Sequence, residues 1–257
     1  MKKSIAILLA VLLLSGLCAA HAESDLEYIK GKGVLVVGIT DFAPMDYQQD
    51  GEWVGFDADL AKAFAASLDV KVEFVEIDWD NKLLELDNKS IDCIWNGMTL
   101  REEIMSATAC SKAYANNAQV IVVPEAKKDQ YQTAEAAKGL QFAVEAGSAG
   151  QDEADNHGFA YTPVNTQADA LMEVKAGTSD AAIIDSLMAA AMVGEGTSFA
   201  DLTYTAALNS EEYGVAFRKG SDLAECLNQY FATAWKEGVI QALGETYGVT
   251  AALIPME

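Results

Sequence analysis

Short apolar, β-branched segments alternate with segments of helical periodicity along most of the chain. The run Val34–Ile39 is typical of a buried strand. Behind it, Leu60, Phe64 and Leu68 recur at helical intervals, and acidic residues occupy the first turn of that predicted helix. The alternation predicts parallel-rich sheets with helices on both faces, which is an α/β architecture.

The alternation starts a second time near Leu140. Such a restart predicts two lobes, between which the chain crosses near residues 116–120 and 210–215. Ligands of α/β sheets bind beyond the carboxyl ends of the strands, so the cleft between the lobes is the expected site. The predicted division is residues 23–117 and 214–257 for the first lobe and residues 118–213 for the second.

The N-terminal segment is typical of a secretory signal. Two lysines precede an apolar run over residues 5–14, and Ala20-His21-Ala22 is the small-residue pattern that signal peptidase cleaves. Residues 1–22 are therefore predicted to be a signal peptide, too short to span a membrane. Cys18 raises the alternative of a lipid anchor, but Leu17 stands where that motif has a small residue. We expect an exported protein, in the periplasm or at the extracellular cell surface.

Composition and charge narrow the classes of function. A hydrophobic content of 51% excludes intrinsic disorder. With 39 acidic and 17 basic residues the net charge is −22, which makes nucleic acid a poor partner because nothing would neutralise its phosphates. The chain has 2 His and 4 Cys, so few candidates exist for imidazole or thiolate chemistry, and neither a metal nor a cofactor is expected. A Cys93–Cys110 disulfide is compatible with an oxidising compartment, but the sequence leaves it open.

An ordered set of motifs covers nearly all of the chain after the signal segment. Residues 37–60 read VGITDFAPMDYQQDGEWVGFDADL, and Asn96-Gly97-Met98-Thr99, Ala146-Gly147-Ser148 and Phe217-Arg218-Lys219-Gly220 follow in order. The set resembles the periplasmic solute-binding proteins of polar amino acid ABC importers, family 3 type. The resemblance implies a type II periplasmic-binding-protein fold, in which two lobes, each a mostly parallel sheet flanked by helices, are joined by two hinge crossings. It also implies a small-molecule solute, an ABC permease in the membrane as partner, and a monomeric chain.

The same resemblance implies a ligand site in the cleft. Two aromatic residues would flank the ligand, because flat rings supply apolar contact and attract a cation. A carboxylate at a strand end would hold the ligand's ammonium group, and a loop and a helix N-terminus would meet its polar and anionic groups. The ligand-binding residues expected are Phe42, Trp79, Asn96, Gly97, Thr99, Arg101, Ser148 and Asp185.

Two carboxylate contacts of the family are missing from this chain. Ile104 occupies the position where the family has an arginine, and Ala149 the position where it often has a hydroxyl residue. Either Arg101 reaches the ligand's α-carboxylate instead, or the ligand lacks that group and is an amine or another cation held by the aromatic rings and Asp185. Arg101 could also form a surface ion pair with Glu102 or Glu103, and each aromatic residue could belong to a lobe core.

Two other classes of function stay open beside solute binding. No P-loop, dinucleotide fingerprint or nucleophile elbow occurs, so the chain is not expected to be an enzyme. This fold also supports a cyclohexadienyl-dehydratase-like lyase, which would need a catalytic acid such as Glu145 or Glu103. A ligand-sensing module is the third alternative.

Overall fold

The computed structural model describes residues 24–256, so the predicted signal peptide and Cys18 lie outside the described residues. Its helices are α1 (Asp25–Lys32), α2 (Phe56–Ser67), α3 (Lys82–Asp87), α4 (Glu102–Ala107), α5 (Ala134–Ala137), α6 (Ala149–His157), α7 (Gln167–Ala176), α8 (Ser186–Met192), α9 (Leu223–Lys236) and α10 (Val239–Tyr247). Its strands are β1 (Val34–Ile39), β2 (Tyr47–Gln49), β3 (Glu52–Val54), β4 (Lys71–Glu76), β5 (Cys93–Thr99), β6 (Ala109–Cys110), β7 (Ala115–Asn117), β8 (Gln119–Pro124), β9 (Gln141–Glu145), β10 (Ala160–Val164), β11 (Ala181–Asp185), β12 (Leu202–Ala207) and β13 (Glu211–Phe217).

Two sheets form the centres of two lobes. The first has the strand order β4-β1-β5-β13-β6, with β7 paired to β13, and the second has the order β10-β9-β11-β8-β12. In the first sheet every strand except β13 runs in the same direction, and in the second sheet every strand except β8 does. The α/β architecture with mostly parallel sheets that the sequence predicts is therefore confirmed. The reversed strands, β8 and β13, are the ones that directly follow the passage of the chain from one sheet to the other.

The chain passes between the sheets twice. The first passage lies at Ala118, between β7 and β8, and the second lies between β12 and β13, at residues 208–210. Glu211 already pairs with Asn117 in the first sheet, ahead of the boundary placed after residue 213. The exact limits of the lobes stay a prediction.

The core of each sheet consists of the apolar strand segments that the sequence pattern identified. Leu35, Val37 and Ile39 of β1 are fully buried, as are Ile183 and Ile184 of β11. Cys93, Cys110 and Cys226 are free thiols, so the Cys93–Cys110 disulfide is not formed. Between residues 24 and 256, no helix combines the length and the apolar character that crossing a membrane requires.

Candidate functional site

A narrow cavity lies between the two lobes, and both sheets contribute to its wall. The first lobe supplies the end of β5, the start of α4 and the turn around Trp79. The second lobe supplies the ends of β9 and β11 and the starts of α6 and α7. The lining consists of Trp79, Lys82, Asn96, Gly97, Met98, Thr99, Arg101, Ile104, Glu145, Ser148, Ala149, Gln167 and Asp185. All the predicted site residues except Phe42 therefore line one cavity, at the carboxyl ends of parallel strands.

Phe42 lies behind the wall of this cavity. Its ring is 2% exposed, and it stands edge-on to the ring of Tyr213 with 6.4 Å between the centroids. A Cβ atom on Gly97 would come within 2.3 Å of Phe42 Cε1, so the ring packs directly against Gly97, which lines the cavity. Trp79 is thus the aromatic residue that lines the cavity, and a direct contact of Phe42 with a ligand stays a prediction.

The polar groups at the end of β5 are already bonded within the first lobe. Asn96 Oδ1 accepts from the backbone N–H of Thr40 at 2.9 Å, and Asn96 Nδ2 donates to the Thr40 hydroxyl at 2.8 Å. The N–H of Gly97 donates to Asp57 Oδ2 at 2.7 Å. Thr99 Oγ1 donates to Glu211 Oε1 at 3.0 Å. These bonds hold the strand end rigidly against its neighbours, which positions the cavity wall.

Asp185 ends β11 and is 5% exposed. Its Oδ1 accepts from the Tyr213 hydroxyl at 2.5 Å and from Gln119 Nε2 at 3.0 Å, and its Oδ2 accepts from Gln167 Nε2. Burial, followed by the charge of Glu211, raises the pKa of Asp185 to about 7. Asp185 occupies the N-cap position of α8, but its side chain makes no capping bond there. The carboxyl group is oriented by its neighbours and directed to the cavity rather than to the helix.

Arg101 extends from the first lobe across the cleft to the start of α6. Its guanidinium pairs with the carboxylate of Asp152. Arg101 Nη2 donates to the carbonyl of Gly147 at 3.1 Å, and Nη1 lies 3.5 Å from the carbonyl of Ser148. These acceptors all belong to the second lobe, so Arg101 joins the lobes to each other.

Ser148 caps α6, since its hydroxyl accepts from the N–H of Gln151 at 3.1 Å. This is the ordinary capping role of a serine at a helix start. The side chain is 5% exposed and lines the cavity.

Sequence reasoning missed Lys82 and Gln167 and considered Glu145 only as the acid of a lyase. Lys82 donates to the carbonyls of Trp79 at 3.0 Å and Gly147 at 2.8 Å, and its ammonium group lies 4.9 Å from the centre of the Trp79 indole. Burial and the charge of Arg101 lower the pKa of Lys82 to about 8. Burial and the charge of Asp185 raise the pKa of Glu145 to about 8. Glu145 ends β9 as Asp185 ends β11, and this shared position was a usable signal.

The chain matches the family model of the bacterial extracellular solute-binding proteins, family 3, over residues 35–250. It is 28% identical over 247 residues to the L-cystine-binding protein TcyJ of Escherichia coli strain K12, covering 93% of this chain and 92% of TcyJ. A solved structure of a mutant of ArgBP from T. maritima superimposes with a TM-score of 0.82 at 35% identity, covering 87% of this chain and 99% of ArgBP. The ancestral amino acid-binding protein AncCDT-1, a precursor of cyclohexadienyl dehydratase, gives a TM-score of 0.80 at 30% identity, covering 87% and 99% of the two chains.

The fold and the interlobe cavity define a solute-binding protein of the two-lobed, type II periplasmic-binding-protein class. The chain belongs to the bacterial extracellular solute-binding proteins, family 3. The resemblance drawn from the motifs is thereby confirmed.

Proposed function

We propose that this chain captures an amino acid or amine between its two lobes and delivers it to an ABC permease in the membrane. The observation that carries the proposal is the cavity itself: residues of both lobes line it, and Asp185 presents a buried carboxyl group to it. An ammonium group is the natural partner of such a carboxylate. The names of the relatives, which bind L-cystine or are amino acid-binding, support this class of solute.

Closure of the lobes couples binding to delivery. A solute in the cavity contacts both lobes only when they are closed, so it shifts an open–closed equilibrium towards the closed form. Arg101 and Lys82 add contacts of the closed form to the carbonyl groups of the second lobe. The permease would then recognise the closed form.

Export and oligomeric state complete the proposal. The segment 1–22 directs the chain to the periplasm or the cell surface, where it acts as a monomer. The family name, which describes extracellular proteins, agrees with this location.

A lyase on the same fold is the second candidate. Glu145 is buried in the cavity with its pKa raised to about 8, so at neutral pH it carries a proton that a general acid could donate. The likeness to AncCDT-1 supports the scaffold for such a reaction, although that protein is itself described as amino acid-binding. Incubation with a prephenate-like compound tests the candidate, because a lyase releases product at a rate proportional to enzyme while a binding protein releases none.

A thermal-shift screen of the exported chain tests the binding function. The probes are the twenty common amino acids, cystine, and aliphatic mono- and diamines. A solute at a hundred times its Kd stabilises the folded chain by about 2.7 kcal/mol, which raises the melting temperature by several degrees. We expect at least one amino acid or amine to produce this rise. If none of these compounds shifts the melting temperature, the proposed function is wrong.

A further inference from the structure

The two cationic side chains of the cavity are occupied by acceptors of the protein itself. The Lys82 ammonium group donates to two backbone carbonyls, and the Arg101 guanidinium binds Asp152 together with two further carbonyls. Each cation therefore has partners before a solute arrives. One of the three N–H donors of Lys82 and two of the five of Arg101 remain, which is enough for one carboxylate of a solute.

The two acidic side chains of the cavity have only neutral hydrogen-bond partners. Asp185 is 5% exposed and Glu145 is 3% exposed, and the amide of Gln167, which donates to Asp185, lines the cavity together with both. None of the ion pairs within residues 24–256 includes either carboxyl group. Lys82 is close enough to favour ionisation of Glu145, but burial and the charge of Asp185 outweigh it. The two buried carboxyl groups of this cavity therefore lack the positively charged partners that would stabilise their ionised forms.

We infer that the solute carries two positively charged nitrogens, one bound by Asp185 and the second by Glu145. This inference rests on the proposed function and specifies its ligand as a small aliphatic diamine or a basic amino acid. Burial makes ionisation of both carboxyl groups unfavourable in the empty cavity. Two cationic nitrogens of a bound solute would offset this free-energy cost. Trp79 adds a flat aromatic face beside this charge, which a cation or its methylene chain can contact.

Two matched pairs of compounds test the inference by titration calorimetry. L-Lysine is compared with L-norleucine and 1,4-diaminobutane with butylamine, so that within each pair only the second nitrogen changes. We expect the dicationic member of at least one pair to bind, at least tenfold more tightly than its partner.

We expect Glu145→Gln to weaken binding of that dication by at least tenfold and to bring the two Kd values of the pair together. The control Glu135→Gln makes the same chemical change at an exposed site on α5, and binding should stay within twofold of wild type.

The outcomes separate this inference from the proposed function. If the single-nitrogen compounds bind as tightly as the dications, or if Glu145→Gln keeps the preference for dications, the inference is wrong while solute binding stands. The inference also fails if a neutral amino acid of the thermal-shift screen binds and neither dication does. If nothing in the screen binds, the proposed function itself fails. The wild-type comparison decides the inference even if the Glu145 variant does not fold.

Discussion

At the scale of single residues, two cationic side chains connect the lobes across the cleft. Arg101 and Lys82 both start in the first lobe, and both donate to the carbonyl of Gly147 in the second. Arg101 adds its ion pair with Asp152, whose side chain is 50% exposed. An ion pair with one half-exposed partner contributes about 0–1 kcal/mol. The ion pair of Arg101 therefore stabilises the closed form by a small amount. This role differs from that of a clamp, in which Arg101 would bind a carboxylate of the ligand.

Substitutions at Arg101 and Asp152 distinguish these two roles. If Arg101 joins the lobes, Asp152→Ala should raise the Kd of the solute about two- to fivefold, from the loss of roughly 0.5–1 kcal/mol. The double variant should then cost no more than Arg101→Ala alone, because both changes remove the same ion pair. A clamp on a buried ligand carboxylate would instead cost about 2–5 kcal/mol in Arg101→Ala and leave Asp152→Ala near wild type. Titration calorimetry of the three variants measures the difference.

At the scale of elements, the turn between β9 and α6 packs closely against the first lobe. Gly147 has a φ of +69°, and a Cβ atom there would lie 2.8 Å from Asp80 Oδ1 and 2.9 Å from Asp80 Cα, both in the first lobe. Gly158, at the end of α6, has a φ of +67°, and a Cβ atom there would meet nothing within 4 Å. The two glycines therefore carry the same backbone strain on substitution, but only Gly147 faces the other lobe.

Alanine at these two glycines tests lobe closure. Both variants should lose about 1–2 kcal/mol of stability from the left-handed backbone conformation, measured as similar falls in melting temperature without solute. Gly147→Ala should in addition weaken solute binding about tenfold, because the extra methyl group has to displace the Asp80 backbone for the lobes to close. Equal Kd values for the two variants would contradict closure on this turn.

The elements with continuous apolar patterns were the ones that the sequence predicted well. Val34–Ile39 has the bounds that its apolar run predicted, and Leu60 and Phe64 lie on α2 as their helical spacing predicted. The hairpin of β2 and β3 was missed because its strands have three residues each and are mostly polar. The first half of β13 was missed because Glu211 and Glu212 are acidic, and its pairing in the sheet depends on distant strands.

The candidate site was predictable only as far as strand ends and motifs mark it. Asp185 ends an apolar strand and Trp79 follows a β-branched one, and the resemblance to the family placed both at the cleft. Lys82 and Gln167 lie on short or polar elements, and no local pattern distinguishes them from surface residues. The partner of Arg101 depends on how far the second lobe moves towards the first. That distance is a property of the closed molecule rather than of any segment.

At the scale of the whole molecule, charge and architecture favour the same class of solute. The full chain has a net charge of −22, and a strongly acidic protein raises the local concentration of small cations near its surface. The two sheets are joined through two short passages, which lets the lobes move as rigid bodies about them. A cationic solute would thus be attracted by the molecule as a whole and held by the acidic groups of its cavity.

The affinity of the Asp185→Asn variant for the tightest-binding solute of the thermal-shift screen tests whether Asp185 holds the solute's ammonium group. Asp180→Asn is its matched control, because Asp180 is exposed at the opposite end of β11 and bonds to the N–H of Gln141 at 3.0 Å. Loss of a buried charge partner costs about 2–5 kcal/mol, so Asp185→Asn should raise the Kd by more than tenfold while Asp180→Asn stays within twofold of wild type. A folded Asp185→Asn variant that binds the solute as tightly as wild type would contradict the account.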